Sequence, residues 1–305
     1  MKNGYIDLQV NGFRGIDFSD PGLTLDEIRT VSRLLGEKGV EAYCPTIISS
    51  PIETYQHNLP LIAAAGREEP RGARILGIHL EGPFLNAESG PRGIHQAEYI
   101  RPPCMDLYEQ LRDMSDDGIA IITIAPDQRG AAEIIHRISS ETRTIVSLGH
   151  HLASDEQIDA AVDAGARAAT HVGNGLPSMI HRHFNPLWKL LSDDRLYAFL
   201  IADGFHLPLS FLKVALRSKP PDKIIITSDL MRFGGMPAGP YMIGDQPIVL
   251  EENGKLHRRG STQLAGAALP IDGCVKYLQD ALALSPELIR RITRTNQMDL
   301  LQINI

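Results

Sequence analysis

Metal-assisted hydrolysis needs a cation with an open coordination position, held by imidazole nitrogens and a carboxylate, so that water ionises near neutral pH. Glu81, His150 and His171 are groups of that kind, and each stands where an apolar run turns polar: His79-Leu80-Glu81-Gly82-Pro83, Gly149-His150-His151 and Thr170-His171. Nine of the eleven histidines fall between His79 and His206, and several directly end such runs. A lone histidine there is more simply a hydrogen-bonded residue at the start of a helix. Three metal-capable groups at successive run ends favour a site. Asp229 ends a later run, where a carboxylate facing activated water can take its proton and later hand it to a leaving group; capping of the following segment is the alternative. His206 could reach the same cavity, whereas Asp203, in Ala202-Asp203-Gly204-Phe205-His206, reads as a turn residue.

These groups need elements that bring distant sequence positions to one place. The apolar runs Tyr5–Val10, Val40–Thr46, Arg74–Leu80, Ile119–Ala125, Thr144–Leu148, Ala166–Thr170, Leu196–Ile201 and Lys223–Thr227 read as eight strands. Between them lie helical patterns over Thr24–Lys38, Ile52–Ala65, Met105–Met114, Ala131–Ser139, Asp155–Ala164 and Leu209–Arg217. Most strands are nearly all apolar, as strands covered on both faces should be. Repeated βα units of this kind predict a (β/α)8 TIM-type barrel, whose catalytic groups gather at the C-terminal ends of the strands. The segment Leu230–Gly266 reads as a long final βα insertion rich in Gly and Pro, and the pattern turns helical again from Ala267. No repeat or linker interrupts the chain, which predicts one domain over residues 1–305.

Composition narrows the partners. Hydrophobic residues make up 43% and charged residues 22% of 305, enough to bury a sizeable core. Thirty Lys+Arg against 37 Asp+Glu leave a net charge of −7 without a basic block, which argues against nucleic acid or an anionic membrane as partner. No apolar run could span a bilayer and the N-terminus lacks a signal-type core, so a cytoplasmic protein is expected. Cys44, Cys104 and Cys274 are odd in number and widely spaced, which predicts three thiols.

The segments Tyr5-Ile-Asp-Leu-Gln-Val-Asn-Gly12, Gly77-Ile-His-Leu-Glu-Gly-Pro-Phe-Leu-Asn86, Gly93-Ile-His95, Tyr99-Ile-Arg-Pro-Pro103, Ser147-Leu-Gly-His150, Thr170-His-Val-Gly-Asn-Gly175, Ala202-Asp-Gly-Phe-His206 and Thr227-Ser-Asp229 together resemble the N-acetylglucosamine-6-phosphate deacetylase family of the amidohydrolase superfamily, in order and approximate spacing over nearly the whole chain. The resemblance implies that Glu81, His150 and His171 bind one divalent metal, zinc first, with iron, manganese or cobalt as alternatives. It implies that Asp229 is general base and then acid, and that His95 helps polarise the acetyl carbonyl. Asn174, with Gly175 beside it, and His206 correspond to residues contacting the sugar phosphate. Arg182 sits where the family has a phosphate-binding arginine reaching into the neighbouring subunit of a homodimer; a guanidinium suits that task because its fork bonds phosphate bidentately. The implied reaction is deacetylation of N-acetylglucosamine 6-phosphate to glucosamine 6-phosphate and acetate.

Three departures from the family pattern matter. Family members usually carry a small β-sandwich built from residues before the first barrel strand and from the C-terminal tail, and it is expected to be missing here. The usual Asn-Ala pair reads Asn174-Gly175, and the segment after Asp229 reads Leu230-Met-Arg-Phe-Gly-Gly-Met-Pro-Ala-Gly239. Two-metal amidohydrolases begin with His-x-His at the end of the first strand; Gln9 and Asn11 stand there instead, which predicts one metal per chain and amide hydrogen bonds in the cavity. The rival readings are an amidohydrolase for another N-acyl sugar or amino acid, a non-catalytic sugar-phosphate-binding barrel, and a barrel fragment whose partner domain lies on another chain.

Overall fold

The computed structural model describes residues 4–261 and 263–305. Eight parallel strands pair in chain order: β1 (Tyr5–Val10), β2 (Val40–Ile48), β3 (Ile78–Glu81), β4 (Ile119–Ile124), β5 (Ile145–Leu148), β6 (Ala168–Ala169), β7 (Tyr197–Ile201) and β8 (Ile224–Thr227). The ring closes just past β8, where the main-chain N–H groups of Asn11 and Gly12 donate to the Leu230 carbonyl at 2.8 and 3.1 Å. Helices α1 (Leu25–Glu37), α2 (Ile52–Gly66), α3 (Met105–Met114), α4 (Ala131–Glu141), α5 (Asp155–Asp163), α6 (Pro186–Ser192), α7 (Leu209–Ser218) and α8 (Ile271–Leu282) follow the strands one for one. This is the (β/α)8 barrel the sequence predicts. No helix among the described residues is long and apolar enough to cross a membrane.

Local signals explain most boundaries. Thr24 and Glu27 form a capping box that starts α1, and Ser154 and Gln157 do the same for α5. Helix α6 is absent from the sequence reading: seven residues are too few to display a 3.6-residue period, although Asn185 as cap and Pro186 at its first turn mark its start. The insertion after Asp229 is more ordered than its Gly and Pro content suggests. It holds an antiparallel sheet of β9 (Gly239–Ile243), β10 (Gln246–Leu250) and β11 (Leu256–Arg258), over a small core that includes Met231, Phe233, Ile248, Leu250 and Leu256.

The strand faces decide where the polar groups end up. Side chains that alternate along a strand point to opposite faces. Ile78, Leu80, Ile122, Ile124, Val146, Leu148 and Ile226 pack outward, with residues of the helices. The inward positions change character with height. Ile121, Ile145, Ala168, Phe199 and Ile225 form an apolar inner cluster toward the N-terminal ends of the strands, joined by Leu300 from the C-terminal helix Asn296–Leu301. Two residues further along, the same faces carry Thr123, Ser147, Thr170 and Thr227, with His79 beside them on β3, all buried. Beyond that layer the barrel opens at its mouth.

Candidate active site

Glu81, the last residue of β3, and His150 and His171, just past β5 and β6, meet there and are buried. Glu81 Oε1 lies 3.2 Å from His150 Nε2 and 2.9 Å from His171 Nε2, and the two nitrogens are 3.0 Å apart. His150 Nδ1 donates to the Pro91 carbonyl at 2.7 Å, which turns Nε2 toward Glu81. His171 Nδ1 is buried with no hydrogen-bond partner. Burial alone would raise the Glu81 carboxyl, but the two imidazoles outweigh it and hold it well below the usual carboxylate range. A carboxylate oxygen and two imidazole nitrogens in mutual contact are a donor set that a divalent cation satisfies, and these three side chains could hold one.

The backbone is bent to present these groups. His150, His171 and Asp229 have φ of 55°, 30° and 52°, in the left-handed region that non-glycine residues avoid at a cost of about 1–3 kcal/mol each. Gly175, at φ 63°, packs close to the pair: a Cβ there would lie 3.1 Å from His150 Nδ1 and 3.3 Å from His171 Cε1.

Around this centre the structure assembles most of the residues singled out in the sequence. Gln9 Nε2 donates to Glu81 Oε1 at 2.7 Å, and Asn11 Nδ2 donates to Asp229 Oδ1 at the same distance. The amide oxygens of both are buried without partners. The Asp229 carboxyl is pushed up to about 8, first by lost hydration and then by the negative charge of Glu81. Its segment is anchored from β1, where Asp7 accepts from Thr227 Oγ1, Ser228 Oγ and the Ser228 N–H.

His95 is buried with its ring 4.5 Å, centroid to centroid, from that of His150. The Ser49 N–H donates to His95 Nδ1 at 3.3 Å, so the neutral ring carries its proton on Nε2, which sits 3.6 Å from Glu81 Oε2 with no hydrogen-bond partner. Burial, then the neighbouring His150, brings its pKa down to about 3. Asn174 is half-buried and its Nδ2 donates to the His171 carbonyl at 3.3 Å. His206 Nδ1 bonds Asp203 Oδ2 at 2.7 Å, which points Nε2 away from the pair. Asp203 does close the turn, accepting from the Phe205 and His206 N–H groups, but it also orients His206, a second task its position in a Gly-containing turn conceals.

Arg182 is not drawn into the cluster. It lies exposed between Gly175 and α6, and among the described residues no hydrogen bond joins its side chain to the triad; only its carbonyl is engaged, by Trp188 Nε1 at 3.1 Å. His79 is not among the residues singled out in the sequence; its burial lowers its pKa to about 4. The signal was available, since a residue two before Glu81 on one strand shares its face.

No family model matches the chain. It is 33% identical over 317 residues to the N-acetylglucosamine-6-phosphate deacetylase of Danio rerio, a match covering 99% of this chain and 75% of that protein. It is 29% identical over 283 residues to the N-acetylgalactosamine-6-phosphate deacetylase of Escherichia coli O157:H7, covering 92% and 73%. A mutant N-acetyl-D-glucosamine-6-phosphate deacetylase from Mycobacterium smegmatis, solved in complex with N-acetyl-D-glucosamine-6-phosphate, superposes with a TM-score of 0.88 at 25% identity over 98% of this chain and 77% of that one.

Proposed function

Because the chain belongs to the N-acetylglucosamine-6-phosphate deacetylase family, we infer that it hydrolyses the acetamide of N-acetylglucosamine 6-phosphate, releasing acetate and glucosamine 6-phosphate. The observation that carries this reading is the meeting of Glu81, His150 and His171 at one mouth, with the Asp229 carboxyl held by Asn11 beside them. A divalent ion bound by those three side chains, zinc in this reading, would supply Lewis acidity that ionises water, polarises the acetyl oxygen and draws the Asp229 pKa back down. The chain's own groups do the rest. Asn11 holds Oδ1 of Asp229, which leaves Oδ2 to take the proton of the attacking water and deliver it to the departing amine nitrogen. The Nε2–H of His95 donates to the acetyl oxygen as negative charge builds there. Asn174, with Gly175 beside it, and His206, held by Asp203, line the sugar side.

A homodimer and a cytoplasmic location belong to the same proposal. Met179, Phe184 and Trp188 are 88%, 83% and 53% exposed around Arg182, and an apolar surface of this kind suits a second subunit into whose site Arg182 would bring its guanidinium. The galactosamine relative gives a second reading, the C4 epimer of the same substrate. The test is acetate release by purified protein from both 6-phosphates and from unphosphorylated N-acetylglucosamine, with metal analysis on the same samples. Asp229→Asn should keep its metal and lose two or more orders of magnitude in turnover, whereas His150→Ala should lose metal and activity together. Full metal content in His150→Ala would refute the ligand assignment.

A further inference from the structure

Beneath the triad, four buried side chains from adjacent strands form a continuous line. Ser147 Oγ lies 2.6 Å from Thr170 Oγ1, Thr170 Oγ1 2.8 Å from Thr123 Oγ1, and Thr123 Oγ1 2.8 Å from His79 Nε2. His79 Nδ1 ends the line 2.9 Å from the Leu8 carbonyl. Only one arrangement of protons satisfies it. A carbonyl can only accept, so Nδ1 carries the hydrogen of the neutral ring and Nε2 must accept from Thr123. With its proton committed, Thr123 accepts from Thr170, and Thr170 in turn accepts from Ser147. Every donor points the same way, from β5 through β6 and β4 to β3 and across to β1.

We propose that this line is a positioning layer for the metal site: it fixes the relative heights of the strands that carry Glu81, His150 and His171. The proposal rests on the triad being a cation site. Its support is placement. His79 precedes Glu81 by two residues, Thr170 directly precedes His171, and Ser147 precedes His150 by three, so each ligand-bearing strand is tied just below its ligand. The Leu8 carbonyl is free for His79 because β1 bulges against β2 between Asp7 and Val10, where three steps on one strand face two on the other. A fully satisfied polar chain has one geometry, whereas apolar packing at the same positions tolerates several.

The directionality makes the layer testable. Thr123→Val removes the donor to His79 and strands the Thr170 proton, so both halves of the line lose their orientation. Ser147→Ala removes only the first donor and leaves every later bond in place. Zn²⁺ dissociation constants from chelator competition should therefore rise tenfold or more for Thr123→Val, by less for Ser147→Ala, and return to within about threefold of the parent in Thr123→Ser, which keeps the hydroxyl. Melting temperatures of the metal-free proteins, measured alongside, will also fall in the valine variant, whose stranded donor and acceptor cost stability, so the affinity change is the deciding readout: a purely structural role would lower stability and leave affinity alone. Thr170→Val breaks the line at its centre and serves where Thr123→Val does not fold. Unchanged Zn²⁺ affinity in the folded valine variant, or a Ser147→Ala effect as large as that of Thr123→Val, overturns the positioning layer while leaving the cation site standing. A parent chain that binds no Zn²⁺ overturns both.

Discussion

At the scale of single residues, the site is defined by how far environment moves each group from its behaviour in water. Asp229 is the clearest case, since its carboxyl sits at about 8 against an ordinary 3.8. A folded-state pKa above the unfolded one means that the folded chain keeps a proton the unfolded chain gives up near pH 3.8. The associated stability is complete below that pH and is lost as pH climbs through about 8. Chelator-treated protein should therefore fall in melting temperature relative to Asp229→Asn between pH 4 and 8, and the gap should level off beyond. Parallel melting curves across that range would show that the carboxyl is not held protonated. Much of this scale was legible in the sequence: Glu81, His150, His171 and Asp229 all follow apolar runs. The threonines beneath them were not, because a buried hydroxyl at an inward strand position reads as ordinary β-propensity.

At the scale of elements, β1 shows what pattern reading leaves out. Its limits, Tyr5–Val10, are those the sequence predicts. Yet Ile6 and Leu8 pack into the inner cluster, Val10 packs outward, and Gln9 and Asn11 reach Glu81 and Asp229, so Leu8 and Gln9 are neighbours on the same side of the strand. Strict alternation cannot give that; the bulge can, and periodicity counted in the sequence cannot see a bulge. The same strand now supports a metal-count argument. Gln9→His with Asn11→His would replace two neutral amides, already aimed into the cavity, by two imidazoles, and should raise metal content from one toward two per chain. A content that stays at one would mean that the second position lacks a ligand the pair cannot supply. Helix α6 and the β9–β11 sheet were missed for related reasons: one is too short for its period to register, and the strands of the other begin or are broken at Gly239, Pro240 and Pro247.

At the scale of the whole molecule, a chain of net charge −7 is proposed to bind a phosphorylated sugar, so a few placed cations must offset its field. Arg182, exposed on an apolar loop and outside its own cluster, fits a role completed by another subunit. Arg182→Ala should raise KM for the 6-phosphate substrate and hardly change residual activity on the unphosphorylated sugar. Mixing Arg182→Ala with Asp229→Asn subunits should restore part of the activity, because some sites then receive one intact arginine and one intact carboxyl. Absence of complementation, with subunit exchange demonstrated, would mean that the arginine acts within its own chain. The barrel itself was readable because eight doubly covered strands repeat the same signal, while relations between chains leave no period to count.

The backward-bent main chain at His150, His171 and Asp229 has a consequence for how this protein can drift. Left-handed backbone favours Gly and Asn over every β-branched residue. Selection for catalysis must keep imidazole or carboxylate at all three positions against that preference. A library varied there and sorted only for soluble, folded protein, with no demand for turnover, should therefore be enriched in Gly and Asn and depleted in Val, Ile and Thr after sequencing. Retention of the parental residues in such a sort would mean that folding itself, independently of chemistry, depends on them.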